Sequence, residues 1–126
     1  MIKKLKKIAK EIFDDLGSGF PENIYQKAFE VALRLEKINY ESQRIITIFY
    51  KNFNIGESIS DLIINDGKEK IIVELKAVSS EISLKEETQL KKYMITLNIK
   101  KGILINFPQP DKKEVPENPE FKEVEL

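Results

Sequence analysis

The 126-residue sequence has neither cysteine nor histidine. The first absence removes disulfides, thiolate metal sites and cysteine nucleophiles; the second removes imidazole bases, the Ser-His-Asp triad and the usual zinc hydrolase centres. Long apolar runs are also missing, so nothing approaches the roughly 20 apolar residues of a membrane span. The lysine-rich start is amphipathic, with no continuous apolar stretch and no small-residue cleavage site, so it does not read as a secretory signal, and a cytoplasmic location is expected. Net charge is missing as well: 21 basic residues balance 21 acidic ones. Only Lys3, Lys4, Lys6, Lys7 and Lys10 form a basic cluster, so global charge offers no argument for nucleic acid. Any catalysis must rest on carboxylates, lysines, tyrosines and hydroxyls. The metal that suits such an inventory is a hard, oxygen-ligated ion, Mg²⁺ or Mn²⁺.

What is present reads as a single domain over residues 1–108, since 41% hydrophobic content suffices for one core. Ile2, Leu5, Ile8, Ile12 and Leu16 recur at helical spacing and predict a helix over residues 2–16. Gly17 and Gly19 break it. Pro21 then opens a second helix with Ile24, Ala28, Val31, Leu35 and Ile38 on its apolar face, expected to end near Asn39. From Arg44 onward, β-branched and aromatic residues predict a strand, a turn at Lys51-Asn52 and a returning strand that reaches Ile64. Asn65-Asp66-Gly67 is a turn signal, and Lys70–Val78 reads as a third strand. Ser83 and Glu86 have capping-box spacing before a third helix bearing Leu90, Met94 and Leu97. Gly102–Phe107 forms the last predicted strand, joined to the third by a parallel crossover. Four prolines beyond Phe107 and many charges make residues 109–126 an extended, loosely packed tail.

Two residues violate the apolar pattern of the third strand. Glu74 and Lys76 lie two apart, hence on one face, and interrupt a run of Ile71, Ile72, Val73, Leu75, Ala77 and Val78. Buried charges on a central strand cost several kcal/mol unless paired or bound to an ion. Asp61 lies on the preceding strand, which the turn at residues 65–67 folds back towards Glu74. Two carboxylates within about 4 to 5 Å of one another suit a divalent ion, and a neighbouring lysine suits activation of water or neutralisation of phosphate. The spacing alone is weak, because Asp66 and Lys68, Asp111 and Lys113, and Glu120 and Lys122 share it. The plainer reading is a surface ion pair on a half-exposed strand.

Asp61, then Glu74-Leu75-Lys76, then Gln89 and Tyr93 one helical turn apart, resembles the signature of the PD-(D/E)XK nuclease superfamily followed by its Gln-x-x-x-Tyr motif. Gly19-Phe20-Pro21-Glu22-Asn23-Ile24-Tyr25 is similar to the pattern that names the GxxExxY family within it. Ile103–Phe107 resembles that family's final strand. A histidine that often precedes the family's Gly-rich turn is missing; Phe13 stands near its place. The resemblance implies an α/β fold with a restriction-endonuclease-like core: a mixed sheet of four to five strands flanked by helices, in the order α-α-β-β-β-α-β. It further implies that Asp61 and Glu74 ligate the metal, Lys76 is the catalytic lysine, and Glu22 is an auxiliary catalytic acid. Gln89, Tyr93 and Tyr25 are implied to assist the site or contact substrate. The implied partner is nucleic acid, DNA ahead of RNA, with a homodimer or a partner protein supplying specificity to so small a domain.

Each supporting residue also has a structural reading. Glu22 suits a helix amino terminus through the macrodipole. Tyr25 suits a half-buried core position, and Gln89 and Tyr93 can bridge helix to sheet. Three functions therefore stand side by side: a metal-dependent nuclease, a catalytically silent binding or interaction module that retains the nuclease fold, and an oligomerising scaffold.

Overall fold

In the computed structural model, which describes all 126 residues, Ile2–Leu16 forms helix α1 and buries Leu5, Ile8, Ala9, Ile12 and Phe13. Gly17 and Gly19, both at positive φ, turn the chain into α2 (Glu22–Leu35), whose amino-terminal cap is Pro21. Helix α2 ends earlier than its apolar spacing predicts. Lys37 adopts a left-handed conformation (φ 57°), and the Ile38 amide returns to the Leu33 carbonyl at 2.9 Å, a Schellman-type stop. Strand β1 (Asn39–Tyr50) therefore starts before Arg44, and its first residues pair with the end of β2 (Phe53–Asn65). The two strands meet at Lys51-Asn52, both at positive φ, as a two-residue hairpin turn requires. A second turn is held by Asn65 and Asp66, whose side chains accept the amides of Gly67, Lys68 and Glu69, and leads into β3 (Lys70–Lys76).

Helix α3 (Leu84–Leu97) begins with the predicted capping box of Ser83 and Glu86 and ends at left-handed Asn98. It crosses to β4 (Lys101–Asn106), which lies parallel to β3; every other neighbouring pair in the sheet is antiparallel. The expected order thus holds through β4. The segment expected to be a loosely packed tail instead returns as β5 (Glu120–Glu125), pairing with β4 at six positions and completing a five-stranded mixed sheet in the order β1-β2-β3-β4-β5. The reason is local alternation: Phe121 packs towards one face and Val124 is buried on the other.

The sheet separates two cores. Helices α1 and α2 cover one face through Leu62, Ile64, Ile71, Val73, Leu75, Ile103 and Ile105; α3 covers the other through Ile63, Ile72 and Leu104. Strand β3 is apolar on both faces because both are covered. Gly102 is where α3 comes closest: a Cβ there would lie 2.8 Å from Met94 Sδ. No helix is long and apolar enough to cross a membrane.

Candidate active site

The β2–β3 ladder pairs Asn65 with Lys70 through to Leu62 with Val73 and goes no further. At the next position, Asp61 and Glu74 replace main-chain pairing with side-chain bonds. The Asp61 amide donates a long bond to Glu74 Oε1 (3.4 Å), and the Leu75 amide donates to Asp61 Oδ2 (2.9 Å). Each carboxyl group thus accepts a main-chain amide of the other's strand. Strand β1 is irregular at the same level: Gln43, across from Asp61, has φ 54°.

Strand alternation carries Ile72, Glu74 and Lys76 to the α3 side of the sheet. Glu74 is only 7% exposed, and its pKa is pushed up to about 9, first by burial and then by the charge of Asp61. The nearby Ser60 hydroxyl opposes that rise in part, although it is fully buried and makes no well-formed hydrogen bond. Glu22, half-buried at the start of α2, is also raised, by burial and then by Asp61, while Lys76 pulls it down. Glu86 is lowered chiefly by its bonds from Ser83 and slightly by Lys76. Lys76 is therefore within electrostatic range of acids from α2 and α3, and it forms no ion pair at contact distance.

These residues define what can be held there. No three acidic side chains come close enough to enclose an ion by themselves, so the cluster is a carboxylate pair with Glu22 at longer range. The pair still fits a hard divalent cation. Its donors are all oxygen, and the buried Glu74 ionises readily only when positive charge offsets its desolvation and the charge of Asp61.

The other expected residues divide. Gln89 is exposed on α3 and free to meet a ligand. Tyr93, one turn further, is nearly buried, with its hydroxyl bonded to that of Ser58 on β2, so it ties helix to hairpin. Tyr25 does not line the site. It is fully buried, stacks on Phe107 with ring centroids 4.5 Å apart, donates to the Gly17 carbonyl at 2.7 Å and accepts the Phe20 amide at 3.3 Å. Its place is the turn before α2, because the ring needs the core and the hydroxyl needs the turn's main chain. The basic cluster on α1 lies beneath the opposite face, and Lys4, Lys6 and Lys10 are paired with Glu36, Glu123 and Asp14.

Three positioning residues went unread in the sequence. Gln26 is buried on α2, donates to the Asp61 carbonyl at 3.3 Å and accepts from Gln43 at 3.0 Å, fixing the main chain that presents Asp61. Asn106, fully buried, bonds Val78 through both its oxygen and its nitrogen and reaches the Ser80 carbonyl and Glu120, holding the segment that follows Lys76. A buried amide inside the apolar run Ile103–Phe107 was the available signal for Asn106; Gln26 and Gln43 had none, because only the fold brings them together.

The largest cavity, about 510 Å³, lies at the opposite end of the sheet between the Asn65–Lys70 turn and the loop after α3, away from these carboxylates.

Comparison with known proteins agrees with this fold. Residues 1–117 match the family model of the PD-(D/E)XK nuclease superfamily. No curated protein matches the sequence. Among solved structures, the crystal structure of SSO0001 superposes with a TM-score of 0.60 at 20% identity, over 82% of this chain and 50% of the other. That likeness concerns the fold, and the chain spans half the length of SSO0001.

Proposed function

This chain belongs to the PD-(D/E)XK nuclease superfamily, and from that premise we propose that it is a metal-dependent nuclease of the GxxExxY branch that hydrolyses phosphodiester bonds, in DNA ahead of RNA. Asp61 and Glu74 hold Mg²⁺ or Mn²⁺, Lys76 assists the attacking water or offsets phosphate charge, Glu22 is the auxiliary acid, and Gln89 contacts the phosphate backbone beside Tyr93. When bound, the ion polarises the phosphoryl oxygen and favours ionisation of water. The protein's own part is to keep two carboxylates together on adjacent strands, to hold Asp61 from behind through Gln26, and to leave the Lys76 ammonium without an ion-pair partner.

The observation that carries the reading is the interruption of the β2–β3 ladder at Asp61 and Glu74. A sheet serving only stability would continue its main-chain bonds there; this one buries a carboxylate beside another instead. The Gly19–Tyr25 segment supports the branch assignment, since it sets the start of α2 and brings Glu22 within electrostatic range of the pair.

Labelled single-stranded, duplex and branched DNA and RNA, incubated with Mg²⁺ or Mn²⁺ and either the wild type or Glu74→Ala, test the proposal. Cleavage by the wild type that is lost in the variant is the expected result. Equal background from both proteins, with binding retained, transfers the reading to a catalytically silent module.

A further inference from the structure

Strand β3 pairs with β2 only over Leu62–Asn65, so the β1–β2 hairpin from Arg44 to Ser60 projects beyond the sheet as a two-stranded arm. Both cores stop at its root, where Ile46 is the last buried side chain of β1. Beyond it the arm remains strongly apolar. Ile45 and Ile59 form an exposed cross-strand pair, at 56% and 51% exposure. Towards the tip, Phe49, Tyr50, Phe53 and Ile55 are 60 to 74% exposed. Strand alternation divides these side chains between the two faces of the ribbon, with Ile45, Ile59 and Phe49 on one and Tyr50 and Phe53 on the other, roughly 700 Å² over the six in all. An isolated two-stranded ribbon of this kind is marginal in water without a covering surface.

We propose that this arm is a dimerisation element whose occupant is a second copy of the chain, joined by antiparallel pairing of the two β1 edges. Strand β1 is one of the two edges of the sheet, the other being β5. Native free edges are normally blunted by proline or charge, yet Ile45–Tyr50 carries neither. An antiparallel edge pairs with its own copy about a two-fold axis, which closes the assembly instead of propagating it. Charge also argues for a copy over nucleic acid: the arm has only Arg44, Lys51 and Glu57, too few cations for a phosphate track, and the chain's zero net charge sets no repulsion between copies. Because Ser58 on the arm holds Tyr93 and Asp61 follows three residues on, dimerisation sets the two carboxylate pairs at a fixed spacing.

Sedimentation of the full chain across about 1 to 100 μM reads this directly, independently of nuclease activity. The wild type is expected at twice 14.6 kDa, and Phe49→Glu/Phe53→Glu at 14.6 kDa, with circular dichroism unchanged because both side chains are exposed. Leu35→Glu, on the distant and exposed end of α2, serves as the control and remains dimeric. A wild type that stays monomeric throughout overturns the proposal. So does a dimer that survives the hairpin substitutions or is broken by Leu35→Glu. Loss of nucleic-acid binding by a hairpin variant of a monomeric wild type would reassign the arm to nucleic acid.

Discussion

Glu74 accepts the Asp61 amide just past the last β2–β3 pair, so the two residues beyond the end of the ladder are also the two whose carboxyls accept amides of each other's strand. Without a cation, that arrangement opposes ionisation of Glu74. Below its ordinary pKa of 4.5, both folded and unfolded chains hold the proton; between 4.5 and about 9 only the folded chain does, so stability falls as pH rises through that window and levels off above it. At pH 7 the difference is on the order of 3 kcal/mol. Glu74→Gln is expected to raise the metal-free melting temperature at pH 7 and flatten the slope between pH 5 and about 9. Divalent cation should stabilise the wild type and leave the variant unmoved. Thermal melts with and without Mn²⁺ across that range check this; an unchanged slope in the variant would remove Glu74 as its source.

Lys76 has no partner at contact distance, so its charge contributes little to stability and is available to a ligand. Lys76→Met should lower cleavage by about 10²- to 10⁴-fold while shifting the melting temperature by no more than a few degrees. Single-turnover cleavage beside a melt separates the two effects. A large loss of stability with proportionate loss of activity would make Lys76 structural.

Tyr25→Phe tests the turn before α2. The hydroxyl satisfies the Gly17 carbonyl and the Phe20 amide, so its removal is expected to cost about 1 to 3 kcal/mol. Cleavage per folded molecule should stay within a few-fold of the wild type, because the ring never reaches the surface. Urea unfolding read beside activity decides this; a stable variant with weakened substrate binding would return Tyr25 to the site.

Gly102→Ala places a methyl 2.8 Å from Met94 Sδ and 3.1 Å from the Leu90 methyls. Both neighbours are flexible ends that shift at moderate strain, so destabilisation of about 1 to 3 kcal/mol is expected, smaller in a Met94→Ala background. Equal effects in both backgrounds would place the strain in the β4 backbone.

The helices, the three-strand meander and the crossover were legible because each depends on a local pattern: the heptad-like stripe of α1, the Lys51-Asn52 and Asn65-Asp66-Gly67 turns, and the Ser83–Glu86 box. Glu74 stood out because a buried acid breaks an apolar strand. What escaped depends on distant partners. Strand β5 looked like tail because Glu120–Glu125 is mostly charged, and only β4 gives it a ladder to join. Tyr25 looked like part of a motif, whereas its depth is set by stacking on Phe107, far away in sequence. The support for Asp61 by Gln26 and Gln43 joins three elements that no periodicity links.

The late return of β5 shapes how the chain must fold. Until residues 120–125 have left the ribosome, β4 is an open edge bearing Ile103 and Ile105, and the ion pair between Lys6 and Glu123 joins α1 to β5 over a long sequence separation. Closure of the sheet is then a late, long-range event, and the nascent domain passes through a stage in which its apolar central strands are open to pairing with other chains. The prolines at 108, 110, 116 and 119 keep the intervening segment from offering itself as a rival strand for that edge before the true one arrives.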